Sequence, residues 1–169
     1  MSAADRARAY RDTIGLFATG VTIVTSAGPD GPAGMTTNAV TSVSLDPLLA
    51  LVCFDQNSRT LDVVRASGRF GVNILARDDE QLASVFATKA LALEKFETIT
   101  GELPGPGWSE AHGVPVLGSA LAWIACELRE LYSAGDHTIG IGEVVGMAAP
   151  DGREPLVYFR GAYTTIAGE

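Results

Sequence analysis

The sequence predicts a mainly β chain, with short antiparallel strands rolled into a barrel and a few short helices at its margin. Three observations carry this. Short apolar and β-branched runs recur along the chain, separated by Gly/Pro clusters. Few segments fit the 3.6-residue helical period, so most neighbouring runs lack the long crossover that parallel pairing needs. The last long run carries Gly140, Gly142 and Gly146, and glycine inside a strand marks a close backbone approach or a bend at a barrel corner.

Taken in order, residues 5–16 read as an amphipathic helix capped by Ser2, with Asp5 in its first turn and Gly20 closing the segment. Val21-Thr22-Ile23-Val24-Thr25 is a strand by propensity. The Gly28-Pro29-Asp30-Gly31-Pro32 cluster turns the chain into a second strand over 34–38, giving a hairpin. Residues 40–45 mix apolar and hydroxyl side chains without a clean period and stop at Asp46-Pro47. Residues 48–54 are continuously apolar, a strand buried on both faces or a barrel strand. A helix over 60–66 has Ser58 as its cap and Gly68 as its stop. A strand over 70–75 precedes a helix over 78–90 with Leu82, Val85 and Phe86 on one stripe. Glu94-Lys95-Phe96 continues that helix or opens a second turn. Residues 101–113 read as a long Gly/Pro-rich surface loop. Strands follow over 120–131 and 138–147, then a turn at Pro150-Asp151-Gly152 and one or two strands over 155–165. The expected count is roughly seven or eight strands and two or three short helices. No repeat, low-complexity tract or linker divides the chain, so residues 1–169 are expected to form a single domain.

The formal net charge of −8 argues against nucleic acid or an anionic membrane as the primary partner. It leaves room for an anionic ligand held by a local cation and backbone N–H groups. Hydrophobic content of 47% against 19% charged supports a substantial core rather than disorder. Cys53 and Cys126 lie inside apolar runs and read as buried reduced thiols, although sequence alone leaves a disulfide open. The first residues carry Asp5, Arg6, Arg8 and Arg11 rather than an apolar signal region. No run reaches the length of about 18 apolar residues that spans a bilayer. The chain is expected to be soluble and cytoplasmic.

The candidate chemistry rests on small polar residues and almost no acid–base groups, the pattern of a protein whose ligand brings its own reactivity. Asn57-Ser58-Arg59-Thr60 sits at a predicted helix N-terminus, which suits a phosphate but also describes a plain capping turn. On an extended segment, Thr36, Asn38 and Ser42 or Ser44 present donors and acceptors to one side, matching a pyrimidine edge or a ribityl chain. The same groups also suit the solvated face of a half-exposed strand. His137, in Gly135-Asp136-His137-Thr138, and His112 have no metal-ligand spacing with the cysteines, so no metal site is expected. There is no Gly-x-Ser-x-Gly elbow, and Asp136, adjacent in sequence, is poorly placed to orient His137, so a hydrolase triad is disfavoured. Neither a dinucleotide-binding glycine fingerprint nor a phosphate-cradling loop of the Walker type is present. Tyr158-Phe159-Arg160-Gly161 with Tyr163 reads either as an edge strand or as a stacking and anion contact for a second ligand. Glu127, Arg129 and Glu130 read as a solvated charged face.

The ordered set Phe17-Ala18-Thr19-Gly20-Val21-Thr22, Gly34-Met35-Thr36-Thr37-Asn38-Ala39, Ser42-Val43-Ser44-Leu45-Asp46-Pro47, Asn57-Ser58-Arg59-Thr60, Ser67-Gly68-Arg69-Phe70-Gly71-Val72-Asn73, Gly135-Asp136-His137 and Tyr158-Phe159-Arg160-Gly161 resembles the short-chain flavin reductases. These are the reductase components of two-component flavin-dependent monooxygenases. The resemblance implies a split β-barrel of the Greek-key, FMN-binding type, an obligate homodimer, and reduction of FAD (or FMN) by NADH (or NADPH). It implies that reduced flavin passes to a separate monooxygenase. It further implies that Met35, Thr36, Thr37, Asn38, Ala39, Ser42 and Ser44 contact the flavin ring and ribityl chain, with Cys53 and Asp55 among the cofactor-binding residues. Asn57, Ser58, Arg59 and Thr60 would hold phosphate, and Phe86 and Lys89 would assist with phosphate or adenine. His137, by the ring and the nicotinamide, would be the catalytic residue, with Phe159 and Arg160 near the nicotinamide nucleotide. Leu48 stands where many relatives have a second Pro, with no consequence expected. The competing reading is a non-enzymatic flavin- or haem-binding module on the same barrel. A pyridoxamine-phosphate-oxidase-like enzyme is disfavoured because Arg59 and Lys89 are few cations for its phosphate.

Overall fold

The computed structural model describes residues 1–89, 95–96, 107–150 and 152–166. Helix α1 (Ala3–Ile14) begins at Ser2, whose hydroxyl accepts the Asp5 N–H while the Asp5 carboxylate accepts the Ser2 N–H. A two-residue strand β1 (Thr19–Gly20) precedes the hairpin of β2 (Thr22–Gly28) and β3 (Gly31–Thr37). Then come β4 (Val40–Leu45), β5 (Leu48–Asp55), α2 (Arg59–Ser67) and β6 (Arg69–Ile74). A 3₁₀ turn at Arg77–Asp79 leads into α3 (Glu80–Phe86). The hairpin of β7 (Trp108–Ala111) and β8 (Val114–Leu117) is followed by two long strands, β9 (Ala122–Ala134) and β10 (His137–Ala148). The hairpin of β11 (Leu156–Phe159) and β12 (Ala162–Thr165) comes last among the described strands.

Seven of these strands form one sheet in the order β3-β2-β6-β9-β10-β5-β4, and every pairing in it is antiparallel. Its two edge strands, β3 and β4, are neighbours in the chain, joined only through Asn38 and Ala39. In a flat sheet those edges would stand six strand spacings apart, roughly 29 Å. The link from Thr37 to Val40 reaches at most about 11 Å. The sheet must therefore curl until its edges meet at that end, yet β3 and β4 do not pair along their length. The result is a barrel, as the sequence predicts, with the split in its wall that the resemblance implies.

Inside the curl, Leu61 and Val64 of α2 pack with Val24, Val52, Phe54, Phe70, Val72 and Cys126. Ser58 caps this helix by accepting the Leu61 N–H, and Gly68 ends it in the left-handed conformation that its lack of a Cβ permits. A second cluster, Val21, Ile23, Leu75, Leu82, Phe86, Leu117 and Leu156, joins the small sheet β1-β11-β12 to the barrel. The strand glycines act as the sequence suggests. A Cβ at Gly142 would stand 2.5 Å from Phe70 Cζ and 2.8 Å from Cys126 Cβ, one at Gly140 would stand 2.8 Å from Phe54 Cε2, and His112 fills the space beside Gly146. The β9–β10 ladder shifts register at Ile141/Gly142 and again at Val144/Gly146.

Several expectations need correction. Twelve strands occur among the described residues, because the β7–β8 hairpin, the two-residue β1 and the aperiodic β4 escaped the apolar-run count. Trp108–Ala111 is a strand rather than loop, and it docks because Asn73, fully buried, accepts the Leu117 N–H at 2.7 Å while Thr25 Oγ1 donates to Pro115 O at 2.6 Å. Residues 101–106 of the expected loop lie outside the described residues, as do Ala90, Glu94 and Asp151. Residues 40–45 do form a strand, with a register shift between Ser42 and Ser44 that explains their broken period. The helix expected over 78–90 is a 3₁₀ turn followed by α3, which ends at Phe86. The Lys95 ammonium donates to the Phe86 and Thr88 carbonyls at that end.

The carboxyl of Asp79 is buried, accepting from Ser119 Oγ at 2.7 Å and from the Ala76 N–H at 3.0 Å. Burial outweighs those bonds and raises its pKa above the ordinary 3.8. The folded chain thus keeps this proton to higher pH than the unfolded chain, so stability falls as pH rises from 3.8 toward the folded-state pKa. We expect the parent to lose stability relative to Asp79→Asn across that interval, read as urea midpoints at successive pH values. A pH-independent difference would refute this. For packing, Gly142→Ala is expected to destabilise by about 1–3 kcal/mol through overpacking against Phe70 and Cys126, with chemical denaturation as the measurement.

Candidate functional site

A cleft of about 1070 Å³ opens beside the split, walled by residues of the 14–22 segment, β4 and β5. Its size is that of a cofactor pocket. The alternation of β5 builds one wall: Ala50, Val52 and Phe54 point into the core, leaving Leu49, Leu51 and Cys53 on the cleft face. Polar groups on the lining come from Thr19, Thr22, Asn38, Thr41, Ser42 and Ser44, and Arg11 is the single charged residue among the described lining residues. Most of these groups are already committed. Thr22 Oγ1 donates to Thr37 O at 2.7 Å, Asn38 Nδ2 donates to Thr19 Oγ1 at 3.0 Å, and Ser44 Oγ accepts the Asp46 N–H at 3.2 Å. Among the described residues the Ser42 hydroxyl, the Asn38 side-chain carbonyl, the Tyr158 hydroxyl and the Arg11 guanidinium are left to meet a ligand. Ala39 O is held by the Cys53 N–H at 3.0 Å, which fixes the link residues against β5. Burial pushes the Cys53 thiol above its ordinary pKa.

His137 extends this face. It pairs with Asp55 across β10 and β5, as Ile139 pairs with Cys53, and directly opposed residues share a face of the sheet. The histidine therefore stands two positions, roughly 7 Å, beyond Cys53 along the cleft face. Its Nδ1 lies 2.8 Å from Asp136 Oδ1. This corrects the expectation that Asp136 is too close in sequence to orient the ring. The two-residue turn Gly135–Asp136, with φ +64° at the glycine, brings the carboxylate alongside the imidazole. The same hydrogen bond holds the Asp136 carboxyl below its usual range, with the charge of Arg11 adding to the effect. With Nδ1–H donating to Asp136, a neutral His137 presents a bare Nε2.

The predicted residues separate into groups. Asn38, Ala39, Ser42, Ser44 and Cys53 line the cleft together. Asp55 shares the His137 position on its face, and its carboxylate accepts the Asn57 N–H at 2.7 Å. Ser58 is engaged as the helix cap, while the first-turn N–H groups of Arg59 and Thr60 have no intrahelical acceptor. Arg59 lines a smaller depression with Gly28, Pro29, Asp30 and Asp62, apart from the main cleft. Met35 packs against the core, and Thr36 Oγ1 donates to Ala83 O at 2.6 Å. Thr37 Oγ1 accepts the Ala39 N–H and so shapes the link. Lys89 is exposed just past α3. The Arg160 guanidinium stands 5.0 Å over the Phe159 ring, and the Arg160 backbone N–H donates to Gly15 O.

Burial bears on two of the expected residues. Phe86 is 1% exposed, with its ring against Phe96 and Trp108, so it offers no face to an adenine. The Thr60 side chain is likewise buried, which limits that residue to its backbone N–H. The sequence reading did not place Arg11, Thr19 or Asp136 at the site, and offered Tyr158 only within a stacking segment for a second ligand. Thr19 and Tyr158 are cross-strand partners in β1 and β11, a pairing that only the fold brings together.

A family model for the flavin reductase-like domain matches residues 14–167. The chain is 38% identical over 165 residues to a probable flavin reductase of Rhizobium meliloti strain 1021, covering 96% of this chain but only 50% of that longer protein. It is 38% identical over 159 residues to an NADH-dependent flavin reductase of a Rhodococcus species, covering 92% of this chain and 84% of that one. It is 33% identical over 160 residues to the reductase subunit HsaB of a flavin-dependent monooxygenase from Rhodococcus jostii, covering 94% and 77%. Among solved structures, the flavin reductase component BorF of a bacterial two-component tryptophan halogenase superposes with a TM-score of 0.86 at 36% identity, over 96% of this chain and 99% of that one. The NADH:FAD oxidoreductase SgcE6 of Streptomyces globisporus gives 0.87 at 33% identity, over 99% and 97%. On the extent of the family match and of these alignments, the chain belongs to the flavin reductase-like domain family.

Proposed function

We propose that this chain is an NADH-dependent flavin reductase that reduces FAD or FMN and releases the reduced flavin to a separate oxygenase. The observation that carries this reading is the character of the cleft. It is of cofactor size, its polar groups are small donors and acceptors, and among its described lining residues no carboxylate, histidine or lysine offers acid–base chemistry. When bound, the flavin supplies an acceptor for hydride from the nicotinamide, a transfer that asks for stacked rings at close approach rather than a protein acid. The residues' work is then to orient. Ser42 and the Asn38 carbonyl face the ligand, and the Asn38–Ala39 backbone bounds it. The apolar wall of Leu49, Leu51 and Cys53 excludes water. His137, with Asp136 on Nδ1, offers Nε2 as an acceptor for an amide N–H of the nicotinamide. The relatives' printed activities, NADH-dependent flavin reductase and monooxygenase reductase subunit, favour this reading over a non-enzymatic binding module.

The cleft is rimmed by apolar side chains that water would otherwise meet: Phe17 is 69% exposed, Leu45 83% and Met147 58%. A contiguous patch of this kind marks an interaction surface. We read it as the homodimer interface, with a second copy closing the cleft.

Three outcomes check these readings. Purified protein should oxidise NADH, followed at 340 nm, with added FAD or FMN as the saturable second substrate; failure with every flavin would remove the enzyme reading. His137→Ala should raise the KM for NADH by roughly tenfold, the worth of a well-placed hydrogen bond, with less change in the flavin KM. The reverse pattern would sink the docking role. Sedimentation should give the mass of two chains, and Leu45→Asp should shift it toward one.

A further inference from the structure

The β9–β10 hairpin tip reaches into solvent: Tyr132, Ser133, Ala134, Gly135, Asp136 and His137 are all exposed, next to the buried Thr138 of β10. β10 stays paired with β5 as far as His137 and Asp55, so the Gly135–Asp136 turn and the β9 end beside it are the parts of the tip outside that ladder. Among the described residues, one side chain from outside the hairpin hydrogen-bonds to this tip. Gln56, in the turn after β5, places Nε2 3.0 Å from Gly135 O, 3.1 Å from Ser133 Oγ and 3.4 Å from His137 O. Its backbone N–H donates to Asp136 O at 3.1 Å. Two of the three side-chain partners are carbonyls, which only accept, so the amide must present its NH₂ here. The carbonyls it holds belong to the residues on either side of Asp136, and the carbonyl of Asp136 itself takes the backbone N–H.

We propose that Gln56 is a positioning residue for the nicotinamide-binding histidine. By fastening the hairpin tip to the end of β5, it fixes the peptide planes around Asp136. That sets the Asp136–His137 hydrogen bond and the direction of Nε2. The inference rests on the nicotinamide-docking role of His137 given above. It adds a residue that touches neither ligand and acts through the shape of the turn.

The test uses the full chain with Gln56→Ala and with Gln56→Glu, which keeps the shape of the side chain but cannot donate. Each is made alone and combined with His137→Ala. Thermal midpoints and flavin KM should stay close to the parent values, since Gln56 lies in a partly exposed turn. The NADH KM should rise roughly three- to tenfold, as expected for the loss of one or two neutral hydrogen bonds. In the combined variants it should equal that of His137→Ala alone, because a residue acting through the histidine has nothing left to act on. The ¹⁵N shifts of the His137 imidazole should move from the Nδ1–H tautomer toward a mixture of tautomers. Unchanged imidazole shifts would overturn the positioning role whatever the kinetics. So would multiplicative effects in the combined variants, or an unchanged NADH KM where His137→Ala raises it. If His137→Ala leaves the NADH KM unchanged while the Gln56 variants still move the imidazole shifts, the docking role fails and the control of ring orientation stands.

Discussion

The two-residue link between β3 and β4 governs this molecule. It joins strands that the hydrogen-bond order sends to opposite edges of the seven-stranded sheet, and so obliges the sheet to roll. Because the link is too short for the edges to separate at that end, yet the edges do not pair, closure leaves a gap rather than a seamless cylinder. The cleft opens beside that gap, and Asn38 and Ala39 are both the hinge of the closure and part of the cleft wall. Fold and site are consequences of one chain-length constraint. Lengthening the link would relax the roll and the cleft together.

Rolling a sheet this tightly brings backbones close, and the chain meets this with absent side chains and buried polar bonds. Gly71 leaves room for Thr25 to reach Pro115 O; a Cβ there would stand 2.7 Å from the Thr25 hydroxyl. Asn73 then uses both ends of its amide, donating to Ile23 O and Thr25 Oγ1 and accepting from the Leu117 N–H. A fully satisfied buried amide of this kind rigidifies, where a half-satisfied one would destabilise. These bonds tie β2, β6 and β8 into one unit beneath the small sheet that carries Tyr158 to the cleft.

Local signals in the sequence were read correctly where the physics is local. Ser2 and Ser58 cap helices because a hydroxyl can reach an N–H three residues on, and Gly68 stops α2 because it alone adopts the required φ without strain. The Gly28–Pro32 turn and the strand glycines belong to the same class. Features depending on distant partners were not legible. The Trp108–Ala111 strand exists because a buried amide forty-four positions from Leu117 docks its hairpin. Phe86 looks like any amphipathic-stripe aromatic until its neighbours Phe96 and Trp108 are in place. Asp136 was discounted as a partner of His137 on sequence adjacency, although a tight turn reverses the chain and brings adjacent side chains together. Of the cleft, the serine and asparagine positions were legible from the motif and Tyr158 from its aromatic segment, whereas Arg11 and Thr19 required the topology.

Cys53 carries a consequence of its own. Its sulfur sits on the wall of a cleft proposed to handle reducing equivalents, where reduced flavin that meets oxygen gives up two electrons to it and yields peroxide. Thiolate, not thiol, is the form that peroxide and electrophiles attack, and burial holds this thiol above its ordinary pKa. The desolvation that makes the wall apolar therefore also keeps the sulfur chemically quiet at neutral pH. A soft, polarisable side chain can pack against a flat aromatic ligand there without becoming the first casualty of oxidative damage.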